Sequence, residues 1–136
     1  MTKKRIVITG GDGRFAEVLK SKNKILNIFY PNKKILNILN TSSIEKYLKK
    51  IKPKYLIHAA GLSRPMNIHD KQISKSIDLN IVGTCNVVKA CSNLKIKLIY
   101  FSTGYVYEGK IGNYKENAPV FPINNYALSK MGGECA

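Results

Sequence analysis

Two groups of residues have types and spacings suited to chemistry: a glycine-rich turn near the start of the chain and a tyrosine–lysine pair near its end. Gly10, Gly13 and Ala16 follow the spacing G-x-x-G-x-x-A directly after a short apolar run. Glycine lets the backbone turn tightly and approach a pyrophosphate, whose charge is met by free N–H groups at a helix N-terminus. Ala16 is small enough for the helix to pack close to the preceding strand. The turn therefore predicts a nucleotide-binding site.

The second group is Tyr126 and Lys130, four residues apart and so on one face of a helix. A tyrosine hydroxyl has a pKa of about 10 in water, and a neighbouring ammonium group favours the phenolate. Such a tyrosine can exchange a proton with a carbonyl or alcohol oxygen while a hydride moves at the same carbon. The spacing alone occurs often by chance. It gains weight here because Ser102 and Thr103 place hydroxyl groups at the end of a predicted strand.

The elements that must position these groups alternate between strand and helix. Apolar runs predict strands at 5–9, 25–30, 55–60 and 97–101, while 35–39 fits either a short strand or an irregular segment. Helices are predicted at 13–20, from Ser42 or Ser43 to before Pro53, at 70–92, and from about Tyr126 onward. On the long helix, one buried face is predicted to contain Ile73, Ile77, Ile81, Val88 and Cys91.

This order predicts an α/β fold, a doubly wound parallel sheet of the Rossmann type. In such a sheet the glycine turn, Thr103 and the tyrosine–lysine helix meet at the carboxyl ends of the strands. We expect residues 1–136 to form one nucleotide-binding domain that stops after the tyrosine–lysine helix.

The net charge of +15 suggests nucleic-acid binding, but its composition argues against it. Only Arg5, Arg14 and Arg64 are arginines among the 23 basic residues, whereas base readout favours arginine. We therefore predict a solvated lysine-rich surface and no nucleic-acid partner. No apolar run is long enough for a membrane span or a signal-peptide core, which predicts a cytoplasmic protein without a membrane partner.

Cysteine and histidine usage predicts neither a disulfide framework nor a metal site. Cys85, Cys91 and Cys135 are odd in number and lack a C-x-x-C pair, so they are interpreted as small buried hydrophobes in a reducing compartment. His58 and His69 have no partners at metal-ligand spacing.

Five segments, in this order, extend over nearly the whole chain: ITGGDGRFA, KPKYLIHAAG, DLNIVGTCNVVKAC, KLIYFSTGYVYEG and NNYALSKMGGE. In these segments the chain resembles the extended short-chain dehydrogenase/reductase superfamily. It is most similar to the branch of dTDP-4-dehydrorhamnose reductases and related sugar-nucleotide epimerases. The resemblance implies an NAD(P)-dependent reductase or epimerase that acts on a nucleotide-activated sugar. It also implies that residues 1–136 are the NAD(P)-binding domain and that the substrate domain lies beyond Ala136, so this length of chain by itself is expected to be inactive.

The resemblance also implies roles for particular residues. Tyr126 would be the catalytic acid/base, Lys130 its pKa modulator and a ribose ligand, and Thr103 the hydrogen-bond partner of the reacting sugar oxygen. Asn80 would support the site from the long helix. The remaining cofactor-binding residues would be Gly10, Asp12, Gly13, Arg14 and Phe15 at the pyrophosphate, Asn37 and Ile38 near adenine, and Ala59, Ala60 and Gly61 on the nicotinamide side.

Departures from the branch leave several alternatives open. Gly104 and Tyr105 replace the Asp-Glu pair that sugar-nucleotide dehydratases need, so dehydration is not expected. Lys33 and Lys34 follow the second strand where an acidic residue would bind a ribose hydroxyl, which favours NADP slightly and leaves NAD open. Arg64 fits either a substrate phosphate or sugar acid, or an ordinary surface arginine.

Two further questions concern the whole protein. The branch also contains regulatory subunits, so a non-catalytic NAD(P)-binding regulator is the alternative function. A homodimer of the full-length protein is left open.

Overall fold

A computed structural model describes residues 4–136, so Met1 to Lys3 of the predicted domain lie outside the described residues. Four parallel strands form one sheet in the order β2-β1-β3-β4. Their bounds are β1 Arg5–Thr9, β2 Asn27–Phe29, β3 Tyr55–His58 and β4 Lys97–Tyr100. The parallel α/β sheet predicted from the sequence is confirmed.

Helices connect successive strands, as parallel pairing requires. They are α1 Arg14–Lys22, α2 Thr41–Ile51, α3 Ile68–Lys71, α4 Ile73–Ile77, α5 Gly83–Asn93 and α6 Asn125–Glu134. A π-helical turn, Asp78–Val82, joins α4 to α5, and a 3₁₀ turn, Gly104–Val106, follows β4. The Asn40 side chain caps α2 by accepting a hydrogen bond from Ser43 N at 2.9 Å.

The main core lies between the sheet and the helices α2 and α5. Val7 on β1 and Leu56 on β3 are fully buried, and they pack in one cluster with Ile44, Leu48 and Val87 from the two helices. Burying each of these side chains contributes about 2 kcal/mol to the stability of the fold. The segment at 35–39 is irregular, yet Leu36 and Ile38 complete this cluster.

The predicted long helix at 70–92 is the main correction. The helical path breaks at Gln72, whose φ and ψ are −131° and 59°, and it widens to the π-helical turn before α5. As a result Ile73 and Ile77 are largely exposed, at 53% and 43%, contrary to the predicted buried face. The face turned inward contains mainly small and polar residues: Ser76, Asn80, Thr84, Val87 and Cys91.

The structure also corrects two smaller predictions made from the sequence. The predicted strand at 25–30 shortens to Asn27–Phe29, because the Asn23 side chain bonds to the backbone of Ile25 and Leu26 and holds them in a turn. Of the three cysteines predicted to be buried, only Cys91 is; Cys85 is partly exposed and Cys135 is exposed.

Candidate functional site

The glycine turn after β1 is packed tightly between its two neighbouring strands. Gly10 has φ +74°, a left-handed conformation that favours glycine, and a Cβ there would lie 3.1 Å from Ala60 Cα. A Cβ on Gly11 would lie 2.3 Å from the carbonyl oxygen of Tyr30. Gly13 N donates to Gly10 O at 2.8 Å and closes the turn. Side chains are therefore excluded where the turn meets the ends of β2 and β3.

The start of α1 leaves backbone donors available to an anion. Gly13 precedes the helix and supplies no side-chain cap, and the first intrahelical bond runs from Glu17 N to Gly13 O at 3.0 Å. The N–H groups of Arg14, Phe15 and Ala16 therefore have no intrahelical partner. Such a helix terminus is suited to a phosphate group.

A cleft of about 260 Å³ lies beside this turn at the carboxyl edge of the sheet. It brings together seven of the residues predicted to bind the cofactor: Gly10, Gly13, Asn37, Ile38, Ala59, Ala60 and Gly61. Lys33, Leu36 and Leu79 complete its lining. The predicted residues Asp12, Arg14 and Phe15 are exposed on the turn and the first turn of α1, next to the cleft but not among its lining residues.

A second pocket of about 130 Å³ shares a wall with the first, because Ala59, Ala60 and Gly61 line both. Its other side contains Tyr126 and Lys130, together with Phe101 and Ser102 from the end of β4, and His58 and Asn80 also line it. The tyrosine–lysine pair and the glycine turn, far apart in sequence, thus lie on either side of the Ala59–Gly61 segment.

Tyr126 is half-buried and its pKa is shifted by several neighbours. Burial raises the pKa of this phenol above its ordinary value, while the adjacent Thr103 hydroxyl acts in the opposite direction. Tyr105, whose ring centroid is 6.2 Å away, raises the pKa further, and the positive charge of Arg64 lowers it. The predicted residues Thr103 and Tyr126 therefore lie together, and Arg64 is the cation that lowers the pKa of Tyr126 here.

Lys130 is almost fully buried, with 8% of its surface exposed. Burial lowers the pKa of its ammonium group to about 8, and the negative charge of Glu134 partly offsets this. Its Nζ lies 4.1 Å from the centroid of the Tyr100 ring, a cation–π arrangement. With a pKa of about 8, Lys130 still carries its charge in most molecules at neutral pH and loses it in mildly alkaline solution.

Asn80 ties α6 to the loop after β3. Its Oδ1 accepts from Leu62 N at 2.7 Å, and its Nδ2 donates to Leu62 O at 2.8 Å and to Ser129 Oγ at 2.9 Å. Ser129 Oγ in turn donates to Tyr126 O at 2.8 Å. The π-helical turn that contains Asn80 thus holds α6 against the wall shared by the two pockets.

An aromatic pair closes the outer side of the site. Phe15, at the start of α1, packs edge to face against Phe101, after β4, with ring centroids 4.7 Å apart. Because β3 lies between β1 and β4, this contact passes over the carboxyl end of β3. It links the glycine turn directly to the second pocket.

Sequence reasoning missed several residues of this site. Leu36, Leu79, Tyr100 and Ser129 carried no motif, since their roles depend on packing between distant segments. His58 was considered only as a metal ligand. Its position at the end of a buried strand, next to Ala59, was the signal that could have assigned it to the site.

Within residues 4–136, no three His, Cys, Asp or Glu side chains lie close enough together to hold a metal ion. None of the helices described there has both the length and the apolar character needed to cross a bilayer.

Comparison with known proteins agrees with this geometry. The sequence profile of the family described as RmlD substrate binding domain matches residues 4–136. The chain belongs to this family. Among solved structures, a dTDP-4-dehydrorhamnose reductase from Bacillus anthracis in complex with NADP superposes with a TM-score of 0.92 and 31% identity. That match covers 99% of this chain and 49% of the reductase, which confirms the Rossmann-type fold.

Proteins similar to this chain include two kinds. Methionine adenosyltransferase 2 subunit beta from Xenopus laevis is 30% identical over 142 residues, 98% of this chain and 42% of that protein. The dTDP-4-dehydrorhamnose reductase of Aggregatibacter actinomycetemcomitans is 26% identical over 137 residues, 96% of this chain and 45% of that protein. The chain thus spans less than half the length of these two relatives.

Proposed function

We propose that this chain is the NAD(P)-binding part of a dTDP-4-dehydrorhamnose reductase-like enzyme that reduces or epimerises a nucleotide-activated sugar. The proposal rests on one observation above all: the cleft at the glycine turn and the pocket that contains Tyr126 share the wall Ala59–Gly61. A cofactor in the first and a sugar in the second would meet across this wall.

The residues present fit a dinucleotide. A Cβ would obstruct the turn at Gly10 and Gly11, and free N–H groups at the start of α1 suit a pyrophosphate. Leu36, Ile38 and Leu79 give the cleft an apolar wall suited to a flat ring such as adenine. When bound, the nicotinamide would supply or take up the hydride.

The chain's own residues would handle the proton. In the proposed role, the Tyr126 phenol donates a proton to the sugar oxygen during reduction and takes it back in the reverse reaction. Thr103 lies beside this phenol and would hold the same oxygen in place. Lys130, buried and with its pKa lowered to about 8, would return a proton to Tyr126 or bind the ribose.

The residues that line the cleft favour NADP over NAD. Lys33 lines the cleft, and no carboxylate is among the cleft's lining residues to bind a ribose 2′-hydroxyl. A lysine at this place suits a 2′-phosphate. The Bacillus anthracis relative that was solved with NADP is consistent with this preference.

A non-catalytic, NAD(P)-binding regulatory subunit is the second candidate. The observation that favours it is the 30% identity to methionine adenosyltransferase 2 subunit beta over 98% of this chain. Tyr126 and Lys130 line one pocket and Thr103 lies beside Tyr126, which supports the enzyme instead.

The test uses the full-length protein with NADPH and a 4-keto sugar nucleotide. We expect Tyr126→Phe to lower turnover on the order of a hundredfold or more and to leave the NADPH Kd nearly unchanged, since the lost group transfers a proton. Unchanged turnover in Tyr126→Phe would reject the proposed mechanism. A wild-type protein that binds NADPH and turns over no sugar nucleotide would favour the regulatory subunit.

A further inference from the structure

A chain of buried hydrogen bonds runs beneath the wall shared by the two pockets. Thr9 Oγ1 lies 2.7 Å from His58 Nδ1, and His58 Nε2 lies 3.1 Å from Thr84 Oγ1. Thr84 Oγ1 in turn donates to Asn80 O at 2.8 Å. Thr9, His58 and Thr84 are each no more than 1% exposed, so water does not compete for these bonds.

The donor and the acceptor in each of these hydrogen bonds follow from counting the groups around Thr9 and His58. Thr9 Oγ1 accepts from two backbone groups, Ala59 N at 3.2 Å and Ala60 N at 3.0 Å. A hydroxyl oxygen has two lone pairs, so its own proton must be donated to His58 Nδ1. Nδ1 is then unprotonated, and in the neutral ring Nε2 carries the proton and donates it to Thr84.

We propose that His58, as its neutral Nε2–H tautomer, is a positioning residue that fixes the backbone of Ala59 and Ala60 through Thr9. By accepting the proton of Thr9, Nδ1 leaves both lone pairs of Oγ1 directed at the two N–H groups. This role in cofactor binding rests on the proposed function, which assigns the cleft to NAD(P).

Three features around His58 support this positioning role. Burial, with a smaller contribution from the charge of Lys130, lowers the pKa of His58 to about 4, so the ring is neutral at physiological pH. The Tyr100 ring stacks at an angle against the imidazole, with centroids 5.8 Å apart, and limits its rotation. Ala60 Cα also lies against Gly10, so a shift of Ala60 would be transmitted to the glycine turn.

Two substitutions of His58 distinguish the roles of its two ring nitrogen atoms. In His58→Asn the amide oxygen takes about the place of Nδ1 and can still accept from Thr9. In His58→Gln the longer amide reaches towards Thr84, and the acceptor for Thr9 is lost. Thr9→Ser and Thr9→Val form a second pair, in which only serine keeps the hydroxyl.

The experiment measures three quantities on the full-length protein: the ¹⁵N shifts of the His58 ring, the hydrogen-exchange rates of the Ala59 and Ala60 amides, and the Kd for NADPH. We expect the Nε2–H tautomer in the wild type. His58→Asn and Thr9→Ser should keep wild-type exchange and a Kd within about twofold. His58→Gln and Thr9→Val should show faster exchange and a Kd weakened roughly five- to tenfold, the loss of about one hydrogen bond.

An Nδ1–H tautomer, or equal exchange in His58→Asn and His58→Gln, would overturn the positioning role. If the wild type binds no NADPH, the proposed function fails, while the ring shifts and amide exchange still decide whether His58 positions Ala59 and Ala60. If NADPH binds and the Kd is the same in all four variants, the link from this backbone to the cofactor is wrong.

Discussion

The Nζ of Lys130 lies 4.1 Å from the centroid of the Tyr100 ring, and the Tyr100 hydroxyl donates a hydrogen bond to the carbonyl oxygen of the same lysine at 3.2 Å. One side chain at the end of β4 therefore contacts both the charged end and the backbone of the lysine. Gly133 makes room for this, since a Cβ there would lie 2.4 Å from the Tyr100 hydroxyl.

This contact predicts how substitutions of Tyr100 change the Lys130 pKa. A ring face favours the ammonium form by about 1 to 2 kcal/mol when the pair is partly desolvated. We expect Tyr100→Leu to lower the pKa of Lys130 further below its value of about 8, by up to roughly one unit, and Tyr100→Phe to leave it nearly unchanged. Titration of the Lys130 Cε chemical shift by NMR measures this. An equal change of the Lys130 pKa in Tyr100→Leu and Tyr100→Phe would show that the aromatic ring does not stabilise the ammonium charge.

The buried histidine predicts a loss of stability in acid. The pKa of His58 is lowered to about 4 in the folded chain, whereas an unfolded histidine titrates at about 6.5. Between these values the unfolded chain binds one more proton, so the free energy of unfolding should fall as the pH falls from about 6.5 to 4, by up to about 3 kcal/mol.

Urea unfolding at a series of pH values measures this slope, with His58→Gln as the control. The control lacks the titrating ring and keeps His69, so its slope should be flatter over the same interval. Parallel slopes in the two proteins would assign the acid sensitivity to other groups.

The glycine turn predicts unequal tolerance to added methyl groups. A Cβ on Gly11 would lie 2.3 Å from Tyr30 O, so Gly11→Ala requires a backbone shift and should cost about 1 to 3 kcal/mol of stability. Gly104 has no atom within 4 Å of its virtual Cβ, and Gly104→Ala should change stability by less than about 0.5 kcal/mol. Thermal unfolding of the two variants side by side provides the comparison, and similar melting temperatures would contradict the packing described for the turn.

Adjacent lysines provide a test of cofactor preference. Lys33 lines the cleft at the glycine turn, whereas Lys34 lines a separate surface pocket beside α2. We expect Lys33→Ala to weaken NADPH binding about fivefold and NADH binding little, since only NADPH carries the 2′-phosphate. Lys34→Ala should affect neither. Fluorescence titration measures the Kd of the wild type and of each variant for NADPH and for NADH. Equal losses of affinity for the two cofactors in Lys33→Ala would remove the case for NADP.

Local sequence signals were enough to locate the four strands, though only β1 with its observed bounds, and to find the two motifs. The apolar run at 5–9 and the glycines after it specify both a buried strand and the turn that follows, so β1 and the glycine turn were predicted with correct bounds. The same holds for Tyr126 and Lys130, because their spacing of four residues needs only a helix. The alternation of elements predicted a parallel sheet with the turn and the pair at the same edge. That they flank a common wall follows from the strand order, which the sequence did not predict.

The region before α5 could not be predicted in this way. Ile73, Ile77 and Ile81 have the spacing of a buried helical face, yet the inward positions belong to Ser76, Asn80 and Thr84. These polar side chains are stable inside because each finds a partner on another element or loop: His69 for Ser76, Leu62 and Ser129 for Asn80, and His58 for Thr84. Hydrophobic periodicity contains no information about such partners.

Because of the π-helical turn Asp78–Val82, the site is sensitive to the deletion of a single residue at this place in the chain. Such a turn holds one residue more than an α-helical turn. Deleting a single residue there would close it to an ordinary α-helical turn and leave α4 and α5 in nearly the same relative orientation. The side chains of the turn itself would be displaced, and Asn80 would move away from Leu62 and Ser129. In the exposed loop around Gly109 and Gly112, where nothing lies within 4 Å of either virtual Cβ, a residue more or less would leave the two pockets unchanged.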